Sequence, residues 1–179
     1  MILITSSGKQ LRGDLVKCSI LRSDLSPVPV TLEAEIRVDD GLSRLLAEGE
    51  VITTGSGDAL RILKSVRATS RESQGAREPS VLSITAALDA CHKVAFVRAR
   101  AIVKENASLS AIYRASGSSL RAIDADFPVP RFTCLIGGTP SFPIAQILQE
   151  EGGVVRWKAG QLRFIRLKEL LRQKASADL

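Results

Sequence analysis

From Val28 to Val38 the chain alternates. Val28, Val30, Leu32, Ala34, Ile36 and Val38 are separated by Thr31, Glu33, Glu35 and Arg37 from Thr31 onward. A period of two puts the apolar set on one face of a strand and the charged set in water. Pro27 and Pro29 stand at its start, where a missing amide donor is best tolerated at an edge. Related patterns run over Leu15–Leu21, Val51–Thr53, Leu60–Ala68 and Val81–Ala90, with Val94–Val103 as the last extended segment of this half. In Leu15–Leu21 apolar residues occupy both phases, which predicts a strand partly covered on both faces. Thr54-Gly55-Ser56-Gly57-Asp58 reads as a hairpin tip, Asp40-Gly41 opens a short helical segment over Leu42–Ala47, and Thr69–Ser80 is a polar surface loop. Short strands separated by turn signals, with few helices among them, predict a small antiparallel barrel or sandwich.

The period changes in the second half. Ser108 is placed to cap a helix in which Leu109, Ile112 and Tyr113 share a face, and Gly117 ends it. Asp124–Pro130 reads as a stiff extended connection, because each proline restricts the residue before it. It leads to a strand beginning at Phe132. Ser141 then offers an N-cap, Pro143 sits where no intrahelical donor is needed, and Gly152 can take the left-handed conformation that ends a helix. Ile144, Ile147 and Leu148 form one face between them. Val154–Trp157, a Lys158-Ala159-Gly160 turn, and Leu162, Phe164 and Ile165 make a hairpin. The predicted fold is mainly β with α+β: residues 1–105 as an antiparallel β-barrel, then residues 106–179 as a strand, helix, β-hairpin and helix. Its helices fall near 108–116 and 141–151.

Composition narrows the class. With 179 residues and 45% hydrophobic content, the chain can bury a core without disulfide support. Cys18, Cys91 and Cys134 are widely spaced and suggest neither a disulfide framework nor a zinc site, so a reducing cytoplasm is the default compartment. No apolar run approaches the roughly 20 residues that cross a bilayer, and Met1-Ile2-Leu3-Ile4 lacks a basic leader. The expectation is a protein neither secreted by that route nor inserted in a membrane. The net charge of +6 raises nucleic-acid binding, but the cations are dispersed except at Arg163, Arg166, Lys168, Arg172 and Lys174.

No catalytic, cofactor-binding or metal-binding constellation emerges. His92 is the only histidine, and Cys91 beside it would point to the opposite side of a strand, away from proton exchange. It reads as a surface or turn histidine. No Gly-x-Ser-x-Gly elbow presents a serine. The carboxylate pairs Asp39-Asp40, Asp124/Asp126 and Glu150-Glu151 have no cleft to span. Glu150-Glu151 lies at a helix C-terminus, where negative charge is disfavoured, and is read either as a solvated pair or as one side of an intersubunit ion pair. Gly55-Ser56-Gly57 is followed by a strand rather than by the helix N-terminus a phosphate cradle needs. Arg12-Gly13-Asp14 is too short a match to carry meaning. Of the scarce aromatics, Trp157 and Phe164 could stack on bases but are better suited to packing against the helix after Ser141.

The strand, the helix ending in Glu-Glu-Gly and the Gly-turn hairpin resemble bacteriophage tail hub proteins of the late control D family, related to N-terminal regions of type VI secretion spike proteins. Ser141, Phe142, Ile144, Ile147, Leu148, Glu150, Glu151 and Gly152 carry the likeness. Pro143 departs from it, as does the lack of a tyrosine ahead of the helix. The resemblance is most specific from Leu109 to Leu171 and architectural before that. It implies a non-catalytic baseplate hub of a phage, prophage or phage-like particle, assembled in the bacterial cytoplasm and located in the virion tail. Partners would be further copies of itself, as a trimeric or hexameric ring, with tube and spike proteins; neither nucleic acid nor membrane is expected. Such hubs carry two barrels per chain and this sequence has room for one. It would then be the front half of such a hub, a truncated relative, or a short form using six copies. The alternative from another class is a basic β-barrel that binds nucleic acid.

Overall fold

The alternation around Leu32 and Ile36 becomes one long strand whose apolar phase is wholly buried. The computed structural model describes residues 2–24, 26–68 and 80–172. It divides into two compact units, Met1–Ser23 with Val30–His92, and Asp24–Pro29 with Lys93–Leu179.

The first unit holds β1 (Leu3–Thr5), β2 (Val16–Ser23), β3 (Val30–Val38), α1 (Asp40–Leu45), β4 (Val51–Thr54), β5 (Ala59–Ala68) and β6 (Ser80–Leu88). Its six strands form one antiparallel sheet in the order β1-β4-β5-β6-β3-β2, curled into a half-barrel. Leu32 faces Ala86, Ala34 faces Ile84 and Ile36 faces Leu82, so apolar rows cross the sheet unbroken. A slip of one residue would turn every one of these side chains to water, and this fixes the register. Leu3, Ile52, Leu60 and Ile62 extend the same buried layer.

Two features depart from a plain period of two. A bulge between Ile62 and Lys64 leaves Leu60 and Ile62 inward but sends Lys64 and Val66 to the outer face, opposite Thr85 and Ser83. Bulges bend a strand and increase its twist, which helps the sheet to curl. β2, one of the sheet's two edge strands, is exposed along most of its length rather than covered on both faces. Thr5 and Thr54 close matching turns: each threonine amide donates to the carbonyl four residues on, Lys9 or Asp58, at 2.9 Å. The Thr54–Asp58 segment is thus a hairpin tip, with a strand after it.

The second unit holds β7 (Ile102–Ser108), α2 (Leu109–Ala115), β8 (Ile123–Asp124), β9 (Pro128–Cys134), α3 (Ser141–Glu150), β10 (Gly153–Lys158), β11 (Gln161–Arg166) and α4 (Leu167–Arg172). β7 and β9 pair antiparallel, while β10, β11 and β8 form a three-stranded sheet in which β8 runs parallel to β11. Leu109, Ile112, Tyr113, Phe132, Ile144, Val155 and Leu162 are buried here. Ser108 caps α2 as its side chain predicts, accepting from the Ala111 amide at 3.3 Å. Gly117 follows with φ +89° and Gly152 follows α3 with φ +63°.

Three expectations are corrected. Val94–Val103 is not one extended segment: His92–Ala95 forms a 3-10 turn, Val94 is buried in it, and pairing begins only at Ile102, opposite Cys134. Among the described residues, no strand pairs with 94–101 to complete a ladder. Asp124–Pro130 is not one stiff connector, because Ala125 turns the chain at φ +57° and Pro128 and Pro130 lie inside β9. Ser141 is the first helical residue rather than the cap; Pro140 precedes it and no side chain caps the helix. Pro143 is then the third helical residue, still within the turn whose amides lack intrahelical acceptors. All of the predicted loop Thr69–Ser80 except Ser80 lies outside the described residues, as does Lys174.

Tyr113 is fully buried and its hydroxyl donates to the Pro27 carbonyl at 3.0 Å, holding the 26–29 segment to the second unit. Tyr113→Phe keeps the ring and leaves that acceptor short of a donor. The expected loss is about 1 kcal/mol, read as a lower urea midpoint at unchanged slope.

Candidate assembly surfaces

Among the described residues, the histidine, the buried cysteines and several carboxylates make local structural contacts. His92 is buried in the turn after β6, not at the surface, and its Nδ1 lies 2.8 Å from the Asp89 carbonyl oxygen. Asp89 also binds Arg61 and, through the same carboxylate, stands 3.6 Å from His92. Burial, with the Asp89 charge adding to it, pushes the Cys91 thiol up to about 12. A thiol protonated that firmly is a poor nucleophile.

The carboxylate pairs separate. Asp39 caps α1, accepting from the Leu42 amide at 2.6 Å. Asp126 accepts from the Ser110 amide and hydroxyl at the start of α2, whereas Asp124 faces Arg163 of β11 at 3.4 Å with both side chains exposed. Glu150 is exposed and accepts from Gln146 one turn earlier, at 3.0 Å. Among the described residues no three metal-ligating side chains stand together. Phe164 is buried with its ring centroid 4.6 Å from that of Phe127, so it offers no stacking platform to a base. Arg12 and Asp14 pair with each other at the exposed start of the chain.

Cys18 is exposed on β2 while Cys91 and Cys134 are buried. In native protein at pH 8, a maleimide should label Cys18 alone, and the other two only after denaturant, as intact mass would record. The raised Cys91 value also has a stability consequence. The folded state holds the proton that the unfolded chain releases near pH 9, so this contribution is complete below pH 9 and is lost as pH rises toward 12.

What the surface offers instead is apolar area and open strand edges. Ile20 and Leu21, exposed at 46% and 41%, lie on β2, whose outer edge has no described partner strand. In the second unit Leu135, Ile136 and Phe142 are exposed at 68%, 71% and 76%. Leu135 and Ile136 follow β9 directly, and Phe142 lies in the first turn of α3. The amides of Arg98 and Gly137 each donate 2.9 Å bonds, to the Gly138 and Arg98 carbonyls respectively, which draws exposed Val97 to the same loop. The open edge was not legible in the sequence, since only pairing order reveals which strand is outermost. The Leu-Ile-Gly-Gly run was the available signal for the loop.

No family model matches the chain, and no curated protein sequence matches it. Its fold is shared with two solved structures. The 43 kDa tail protein of prophage MuSo2 from Shewanella oneidensis is similar at a TM-score of 0.58 and 17% identity, over 92% of this chain and 52% of that one. The tail protein from Neisseria meningitidis MC58 is similar at a TM-score of 0.60 and 16% identity, over 91% of this chain and 49% of that one. The chain spans about half the length of each.

Proposed function

We propose that this chain is a non-catalytic structural component of a phage tail or phage-like apparatus, a hub or baseplate protein that joins the tail tube to the spike by ring assembly. The observation that carries the reading is the fold shared over more than nine-tenths of the chain with two tail proteins. The strand, helix and Glu-Glu-Gly hairpin of the second unit support it, as does a half-barrel left open at its edges. Under this reading the barrel expected over residues 1–105 forms the ring, and residues 106–179 supply the α+β unit. An open edge with apolar side chains is a liability on a free monomer, and pairing with another copy removes it. If each chain supplies one half-barrel, six copies match a sixfold tube that three double-barrelled chains would otherwise meet.

The test is co-expression with tail-tube and spike proteins from the same genome, followed by native mass spectrometry of the purified complex. The expected result is a ring of six copies bound to tube protein. A chain that stays monomeric and copurifies with neither partner overturns the proposal.

A further inference from the structure

The second unit carries a groove between β9 and α3. A cavity of about 260 Å³ is bounded on one side by Arg131, Phe132 and Thr133 of β9 and on the other by Pro143, Gln146, Ile147 and Glu150 of α3. Consecutive strand residues point to opposite faces, so a cavity that touches three in a row runs along the strand's edge. β7 occupies the other edge of β9, and among the described residues no strand occupies this one. The four helix residues follow the i, i+3, i+4, i+7 spacing of a single stripe. Pro128 and Pro130 remove donors from the first half of β9, which leaves the run from Arg131 to Cys134 as the part able to pair.

The helix stripe from Pro143 to Glu150 covers seven steps of 1.5 Å, roughly 10 Å, and the strand wall from Arg131 to Thr133 covers two steps of about 3.3 Å, roughly 7 Å. The groove also has two unlike ends. The 135–140 loop joins β9 to α3, so exposed Leu135, Ile136 and Phe142 lie just beyond one end, outside the cavity's lining. Arg131 and Glu150 mark the far end, on opposite walls and without an ion pair between them. A strand edge facing a helix stripe is the geometry in which an extended peptide adds to a sheet, its backbone giving affinity and its alternate side chains specificity.

We propose that this groove binds an extended segment of another polypeptide, three to four residues of which add to the edge of β9. That segment carries an acidic side chain against Arg131 and an apolar one against the Leu135, Ile136 and Phe142 end. The partner is a protein strand rather than a small molecule or nucleic acid, because what the β9 wall presents is backbone amides and carbonyls in extended spacing. This inference does not depend on the tail reading.

The test uses fluorescein-labelled eight-residue peptides of alternating Thr and Val, with Asp near one end and Leu at the other, in both orders so that parallel and antiparallel addition are covered. Binding to the full chain is followed by fluorescence polarisation. One of the two orders should bind saturably. Methylating its alternate backbone amides should weaken it at least about tenfold, since those hydrogen bonds are then lost. Arg131→Glu, a change on an exposed side chain, should reverse the preference from the Asp peptide to its Lys counterpart. Two results overturn the proposal: neither order binds below about 1 mM, or binding is indifferent to amide methylation and to Arg131→Glu.

Discussion

Gly153→Ala should lower the stability of the second unit by about 2–3 kcal/mol, although it adds only a methyl group. A Cβ at Gly153 would meet the Phe164 ring carbons Cε2 and Cζ at 2.3 Å and the Ile165 carbonyl oxygen at 2.8 Å. Carbon atoms in good contact stand about 3.5–4.0 Å apart, so the overlap exceeds an ångström. Neither neighbour can yield cheaply. Phe164 is held against Phe127, and the Ile165 oxygen belongs to the adjoining strand. Alanine stiffens the unfolded chain and recovers about 0.4–1 kcal/mol in compatible sites, which is too little here.

Gly152→Ala is the informative comparison. Gly152 has φ +63° with nothing within 4 Å of its Cβ position, so only conformational strain of about 1–2 kcal/mol applies. Urea midpoints should therefore order wild type above Gly152→Ala above Gly153→Ala. Hydrogen exchange should quicken in β10 and β11 of the Gly153 variant. Finding Gly153→Ala within 0.5 kcal/mol of wild type would show that the hairpin is not packed as described.

Phe132→Ala should have the larger effect, about 3–5 kcal/mol. Its ring is 1% exposed, on β9 where α3 packs, and truncation would leave a void bounded by two elements that cannot close on it. A melting temperature lower by about 10 °C or more is expected for a chain of this size. Phe132→Leu should recover most of the loss, because it keeps apolar volume. Equal losses for Ala and Leu would show that ring shape rather than filled volume is what the site requires.

The legibility of this fold follows the physics of each signal. Val30–Val38 was readable because one face of β3 is wet and the other dry, so burial alternates residue by residue. Ser108 and Gly117 were readable because capping is decided within a few residues of chain. Ser141 misled for a related reason. A serine ahead of an apolar helix is a sound cap candidate, but Pro140 already takes helical dihedrals and shifts the start back by one. Val94 reads as the start of an extended segment but sits in a 3-10 turn, since a strand exists only where a second one can pair with it.

The candidate surfaces were less readable than the fold. Glu150-Glu151 drew attention as a carboxylate pair, yet only packing puts Glu150 across a groove from Arg131. His92 reads as a turn residue from its neighbours, but its burial depends on what surrounds that turn. Periodicity, caps and turns are local properties, and local chemistry is enough to specify them. Which strand lies outermost, where Phe164 presses on Gly153 and which edge of β9 stays open depend on residues brought together from distant parts of the chain. Those follow from strand order and side-chain packing, which no short stretch of residues contains.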